Sequence, residues 1–357
     1  MMECRNDEKG YFQKMLGIDR KPDFDQLLRV FERKTPIRPT PFEYFLNERL
    51  YNRLTGIMPA IGESQVEQSI RLMKAYAKAG YDYVALPSSG LDFPTGSHGD
   101  GHAKTYSLND GACISDRKTF LEYPWPDPEL LGTPVLDAVG AALPEGMKII
   151  LFSPGGGCLE IVISIVGYEE LCFMVSDNPR LVDEIFEAVG SRLCRYFEMA
   201  VSHPAVGACL VSDDWGFKTQ TMLSVKDMRR YVFGWTKKAT RIVHEAGKPA
   251  LLHSCGELKE VMEDIIGDMG FDAKHSFEDT IMTVEDAYNC YGRRIGILGG
   301  IDVDFLCRST PDEIFTRARH LIDRTGCTGY ALGSGNSIPN YVPDENWAAM
   351  AWAAFAD

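Results

Sequence analysis

What most constrains this chain is a repeated alternation. Short apolar, β-prone runs occur near residues 38–44, 82–87, 148–153, 207–213, 249–253, 272–277, 295–300 and 329–333, with amphipathic helix patterns between them. Strands separated by helices pair in parallel, because the crossover helix returns the chain to the same end of the sheet. Eight such units suit a (β/α)8 barrel. The rival, a doubly wound sheet, usually carries a Gly-x-Gly-x-x-Gly turn after its first strand, and none follows 38–44. Helix starts are marked at several points. Ser64-Gln-Val-Glu67 reads as a capping box before Ile70, Met73, Tyr76 and Ala77. Asn178-Pro179 opens the pattern Leu181, Ile185, Val189, Leu193, and Thr310-Pro311 opens Ile314, Ala318, Leu321. The expected fold is an α/β single (β/α)8 TIM barrel over 37–357, with an N-terminal helical extension over 1–36.

A long loop departs from the alternation after the second strand, between Pro87 and Pro128, and reads as an ordered lid over the barrel mouth. It includes His98 and His102, which read as exposed and non-ligating in their glycine-rich setting. Ser153-Pro-Gly-Gly-Gly-Cys158 follows the third strand and opens a helix. Its N–H groups could hold an anion, or its glycines could permit close packing.

At 357 residues the chain has the size for such a barrel, and its net charge of −14 argues against a nucleic-acid groove, which needs clustered cations. The same charge argues against an anionic membrane surface, and no apolar run reaches the roughly 18 residues needed to span a bilayer. The residues from Met1 to Arg20 lack the apolar core of a signal peptide. Ten cysteines without a Cys-x-x-Cys pair read as reduced thiols, so a cytoplasmic location is expected.

Barrel chemistry gathers where strands end. The polar residues there are Glu43, Asp213, Asp214, His253, Cys255, His275, Glu278, Asp302 and Asn336. Leu251-Leu252-His253-Ser254-Cys255-Gly256 is the most telling stretch. Residues i and i+2 of a strand point the same way, so His253 and Cys255 can face one centre. Imidazole nitrogen and thiolate sulfur suit zinc, and Glu278 at the end of the next strand supplies a third donor, leaving an open catalytic position. Asp213 and Asp214 could orient substrate or accept a proton, or one of them could cap the next segment. His275 reads as a support for the metal carboxylate or a proton carrier. Asp302 reads as a substrate contact or a helix cap. Trp215 and Tyr341 could wall an apolar pocket, although packing is the plainer role for either.

Val211-Ser-Asp-Asp-Trp-Gly216, Leu251-Leu-His-Ser-Cys-Gly256, Ile297-Leu-Gly-Gly-Ile-Asp302, Thr310-Pro-Asp-Glu313, Gly333-Ser-Gly-Asn-Ser-Ile-Pro339 and Val342-Pro-Asp-Glu-Asn346, in this order, resemble the uroporphyrinogen decarboxylase superfamily over about residues 37–350. The resemblance implies a (β/α)8 barrel and two functional branches. The decarboxylase branch needs cations after the first strand for a many-carboxylate tetrapyrrole, whereas this chain reads Arg38-Pro-Thr-Pro-Phe-Glu-Tyr44. The closer likeness is to corrinoid-linked methyltransferases, whose zinc motif is His-x-Cys with a later cysteine. Here Gly335-Asn336-Ser337 stands in the place of that cysteine. The related cobalamin-independent methionine synthases use a glutamate, where Glu278 lies. The resemblance therefore implies His253, Cys255 and Glu278 as zinc ligands, with Asn336 or water near the fourth position; Glu43, Trp215, Asp302, Asn336 and Tyr341 are the candidates for substrate contact. It also implies a homodimer, and a methylcobalamin-type corrinoid delivered by a separate protein, since no Asp-x-His-x-x-Gly segment is present. A non-catalytic small-molecule-binding barrel is the remaining alternative.

Overall fold

A computed structural model describes residues 10–87, 90–96, 107–130 and 133–356. His98 and His102 lie outside them. Seven strands follow one another in sheet order as they do in the chain: β1 (Tyr83–Leu86), β2 (Lys148–Phe152), β3 (Val206–Ser212), β4 (Ala250–His253), β5 (Ala273–His275), β6 (Gly296–Leu298) and β7 (Tyr330–Ala331). The ladders β2–β3, β3–β4 and β6–β7 are parallel. Strands β1, β3 and β4 are near-continuously apolar and buried, as parallel strands covered on both faces must be.

The run at 38–44, expected as a strand, contributes only one parallel bridge, between Pro41 and Leu332. Phe42 N–H donates to the Leu332 carbonyl at 2.7 Å and Leu332 N–H to that of Thr40 at 2.9 Å. Pro39 and Pro41 have no N–H to give, so the ladder cannot extend. The described residues thus show seven strands and a bridge where eight strands were expected.

The chain gathers into two compact units. One comprises Met1–Ala85, Ala141–Lys148 and His275–Asp357, the other Leu86–Gly140 and Ile149–Lys274. In the first lie the N-terminal helices Tyr11–Leu16 and Asp25–Phe31. The ring of Phe12 lies 6.3 Å from that of Trp347, and buried Asp82 accepts from Arg38 at 2.7 Å and from the Asp23 N–H at 2.9 Å. The capping boxes at Ser64/Glu67 and Thr310/Glu313 are both formed. In the second unit, the long helix Pro179–Ala200 begins with Asn178 accepting from Leu181 N–H, as its sequence implies. No helix among the described residues is long and apolar enough to cross a membrane.

Candidate metal centre

In the second unit, β3 and β4 pair with Ser212 opposite His253, and the Asp213 N–H donates to the His253 carbonyl at 3.0 Å. This register sets Asp214 and Cys255 on adjacent loops just past the strand ends. The Cys255 N–H donates to Asp214 Oδ1 at 2.8 Å. His253 Nε2 lies 3.6 Å from Cys255 Sγ and 3.9 Å from Asp214 Oδ1, and one donor atom from each of the three lies within 4.8 Å of the others. Zinc bonded to nitrogen at about 2.0–2.1 Å and to sulfur at about 2.3 Å, at a tetrahedral angle, sets those two atoms roughly 3.5 Å apart. The nitrogen–sulfur edge is therefore already at ligand spacing, and a sulfur, nitrogen and oxygen set is compatible with zinc. His253 is buried, while Asp214 and Cys255 are half-buried, which leaves a side open.

Two glycines make this approach possible. A Cβ on Gly256, whose φ is +91°, would stand 2.1 Å from the Gly216 carbonyl oxygen, and one on Gly216 would stand 2.8 Å from the Glu257 nitrogen. The glycines that end Asp-Asp-Trp-Gly and His-Ser-Cys-Gly let the two loops touch backbone to backbone. Trp215 between them is fully buried, its ring 5.1 Å from that of Phe233, and its backbone N–H donates to Ser254 Oγ at 3.2 Å. It serves as packing instead of a pocket wall. Lys274, buried on β5, donates to the Ser254 carbonyl at 3.2 Å.

Asp213 and Asp214 take separate roles. Asp213 is buried and accepts from the N–H groups of Leu159 at 3.1 Å and Glu160 at 2.9 Å, at the start of the helix Cys158–Val166. A Cβ on Gly157 would stand 2.1 Å from the Asp213 Cβ. The glycine run after β2 thus admits the chain's own carboxylate to the helix N-terminus. Burial pushes the Asp213 carboxyl up to about 7, against the pull of these N–H donors. Glu160 is raised to about 8, chiefly by burial and then by the charges of Asp213 and Asp214.

Asp214 and Glu160 line a cavity of about 300 Å³ together with the apolar side chains of Ile163, Phe217 and Met222. Ser107, Leu108 and Asp110, the described tail of the long loop, also line it. That tail is pinned by Tyr168 N–H to the Leu108 carbonyl and by Cys113 N–H to the Ile165 carbonyl. The Tyr168 hydroxyl donates to the Met222 carbonyl, and its ring meets Phe217 edge-on at 5.5 Å.

The other sequence candidates lie in the first unit. Asp302 caps the helix Val303–Arg308, accepting from Asp304 N–H at 2.7 Å, and also accepts from Asp279 N–H. Tyr341 is 72% exposed. His275 is fully buried, with Nε2 at 3.1 Å from the Ser334 carbonyl and its ring against Phe42 and Tyr44. Asn336 sits in a turn, its Oδ1 accepting from Ser337 N–H. Glu278, half-buried, follows β5 and accepts at its carbonyl from Ile281 and Met282.

Glu43 is 1% exposed and holds the Ser334 loop. Its Oε1 accepts from Ser334 N–H at 3.0 Å, and its Oε2 lies 2.5 Å from Ser334 Oγ, which also donates to the Asn336 carbonyl. One hydroxyl proton cannot serve both acceptors, so the second contact calls for a proton on Glu43. Burial accordingly raises its carboxyl to about 8. The folded state keeps a proton that the unfolded chain releases above about 4.5, so this stabilisation is complete at acid pH and lost as pH rises to 8. Glu43→Gln should give a shallower fall in urea-unfolding free energy between pH 5 and 8.5, by a few kcal/mol at most. Equal slopes in both proteins would refute the proton.

Glu160, Lys274, Phe217 and Met222 were not singled out by the sequence reading. Glu160 alone had a signal, an acidic residue in the first turn after the glycine run.

No protein family and no curated protein matches the chain. Among solved structures, a methyltransferase from Methanosarcina mazei aligns over 92% of this chain and 97% of its own, at 17% identity and a TM-score of 0.68. The two share a fold. A sugar phosphate isomerase/epimerase from Parabacteroides distasonis aligns at 14% identity over 88% and 96% of the two chains, but at a TM-score of 0.36 it carries no argument.

Proposed function

We propose that this protein is a zinc-dependent methyltransferase, moving a methyl group between a small methylated substrate or thiol and a corrinoid carried by a separate protein. The observation that carries this reading is the gathering of His253, Cys255 and Asp214 beside a cavity, in a chain with a methyltransferase-like fold. His253, Cys255 and Asp214 would hold the metal. Bound zinc supplies a site where a thiol is kept as thiolate, or where a methylated heteroatom gives up electron density.

The chain's own residues do the rest. Asp214, fixed by the Cys255 N–H, aims one oxygen at the centre. Ser254 and Lys274 hold the loop that carries Cys255. Ile163, Phe217 and Met222 exclude water from one side of the reacting group. The described residues lining this cavity include no Arg or Lys, which weighs against a tetrapyrrole with many carboxylates.

Zinc-loaded protein incubated with methylcobalamin and a panel of thiols, and with cob(I)alamin and methyl donors, tests the reading by the corrinoid spectrum. Turnover by the wild type, at least about 100-fold faster than by His253→Ala, is expected for a metal-bound ligand. Full-rate transfer by His253→Ala, or release of carbon dioxide from uroporphyrinogen with no methyl transfer, would sink it.

A further inference from the structure

We infer that Lys274 is a positioning residue of the metal centre, fixing Cys255 and Asp214 together through the single peptide group that joins Ser254 to Cys255; this rests on the zinc reading of the same site. Lys274 lies on β5 and is 4% exposed. Lysine is seldom buried, because taking its amine out of water is costly unless it gains partners. Its Nζ donates to the carbonyl of fully buried Ser254 at 3.2 Å. The other end of the same peptide is the Cys255 N–H, which donates to Asp214 Oδ1 at 2.8 Å. The carbonyl and N–H of one planar peptide turn together. Amine on one side and carboxylate on the other therefore fix its rotation, and with it the direction in which Cys255 leaves β4. Hydrogen bonds linked in this way also polarise one another in a dry setting, so the amine strengthens the N–H that holds Asp214.

The neighbouring bonds show what Lys274 adds. The Asp213 N–H holds the His253 carbonyl at 3.0 Å, and the Trp215 N–H holds Ser254 Oγ at 3.2 Å. Both come from the chain just past β3. Lys274 brings in β5, so that two neighbouring strands grip the tripeptide that carries both the nitrogen and the sulfur donor. Lys274 is not among the described residues lining the cavity, so it acts through Cys255 and Asp214 and not on the substrate. A Ser254 carbonyl that loses this donor draws the peptide round toward another one. The Cys255 Sγ then leaves its 3.6 Å spacing from His253 Nε2. An outer partner of a metal ligand is typically worth about 10–100-fold in metal affinity.

The test is the zinc affinity of full-length Lys274→Met protein, by competition with a chromogenic chelator, together with the visible spectrum of the cobalt-loaded form. Methionine keeps most of the side chain's length and removes the donor. Zinc should bind at least about tenfold more weakly than in the wild type. The thiolate-to-cobalt charge-transfer band should shift or weaken, because the sulfur no longer meets the metal at the same angle. A lysine that only packs changes the unfolding curve and leaves that band alone. Lys274→Gln, one bond too short to reach the carbonyl, serves where Lys274→Met does not fold, with the same expectation. Wild-type zinc affinity and an unaltered cobalt spectrum in a folded variant overturn the inference. Methyl transfer by the wild type, assayed beside it, separates the failures. Transfer by the wild type with an unaffected variant discards the role of Lys274 and keeps the function. A weakened, shifted variant without any transfer by the wild type discards the function and keeps the role. A wild type that binds no zinc discards both.

Discussion

Cys255→Ala protein, purified and dialysed beside the wild type, should retain less than about a tenth of the zinc, measured by elemental analysis. The thiolate is the soft donor of the trio and one of its two anionic groups, and imidazole plus one carboxylate bind zinc weakly at neutral pH. Losing even an outer-sphere partner of a metal ligand costs about 10–100-fold in affinity, so a lost ligand should cost more. Two further variants decide which carboxylate takes part. Asp214→Asn should release metal if the grouping of His253, Cys255 and Asp214 is the binding set. Glu278→Gln should release it if the glutamate is a donor, as the resemblance to zinc methionine synthases implies. Full metal content in both Cys255→Ala and His253→Ala would dispose of the site altogether.

A second large effect is expected from a single methyl group. Gly256→Ala puts a side chain where φ is +91° and where its Cβ would stand 2.1 Å from the Gly216 oxygen and 2.2 Å from that residue's carbonyl carbon. Backbone cannot yield as the tip of a flexible side chain can, so the loops must part. We expect a loss of roughly 3–5 kcal/mol in urea unfolding, from left-handed strain plus overpacking. Zinc should go with it, because the displaced residue is next to Cys255. Gly247→Ala is the matched control. Its φ is +71° but nothing lies within 4 Å of the added Cβ, so only strain remains, about 1 kcal/mol. Equal losses in the two variants would show that the loops do not depend on contact between residues 216 and 256.

Much of the architecture was legible because it is local. Seven apolar runs are strands, and the caps at Ser64, Asn178 and Thr310 start helices. The eighth run misled because its apolar character was read without the missing N–H groups of Pro39 and Pro41. At the site, the i, i+2 rule placed His253 and Cys255 together, since both belong to one strand end. The third partner was harder. Asp213 and Asp214 are adjacent in sequence, and only the β3–β4 register decides that one turns to a helix start and the other to His253 and Cys255, the candidate metal-binding group. Glu160 carried only the faint signal of an acid in the first turn after the glycine run, because the carboxylates that set its environment, Asp213 and Asp214, lie more than fifty positions away. Trp215 and Asp302 fell to plainer roles, packing and capping, that the sequence reading had named beside the functional ones. Tyr341, open to solvent, did not take the packing role.

The helix that begins at Cys158 is already occupied at its electropositive end by the carboxylate of Asp213. A phosphorylated metabolite approaching the glycine turn finds its seat taken from within. Nucleotides and inorganic phosphate should therefore neither inhibit nor protect this part of the protein, however closely Ser-Pro-Gly-Gly-Gly imitates the loops that cradle them elsewhere.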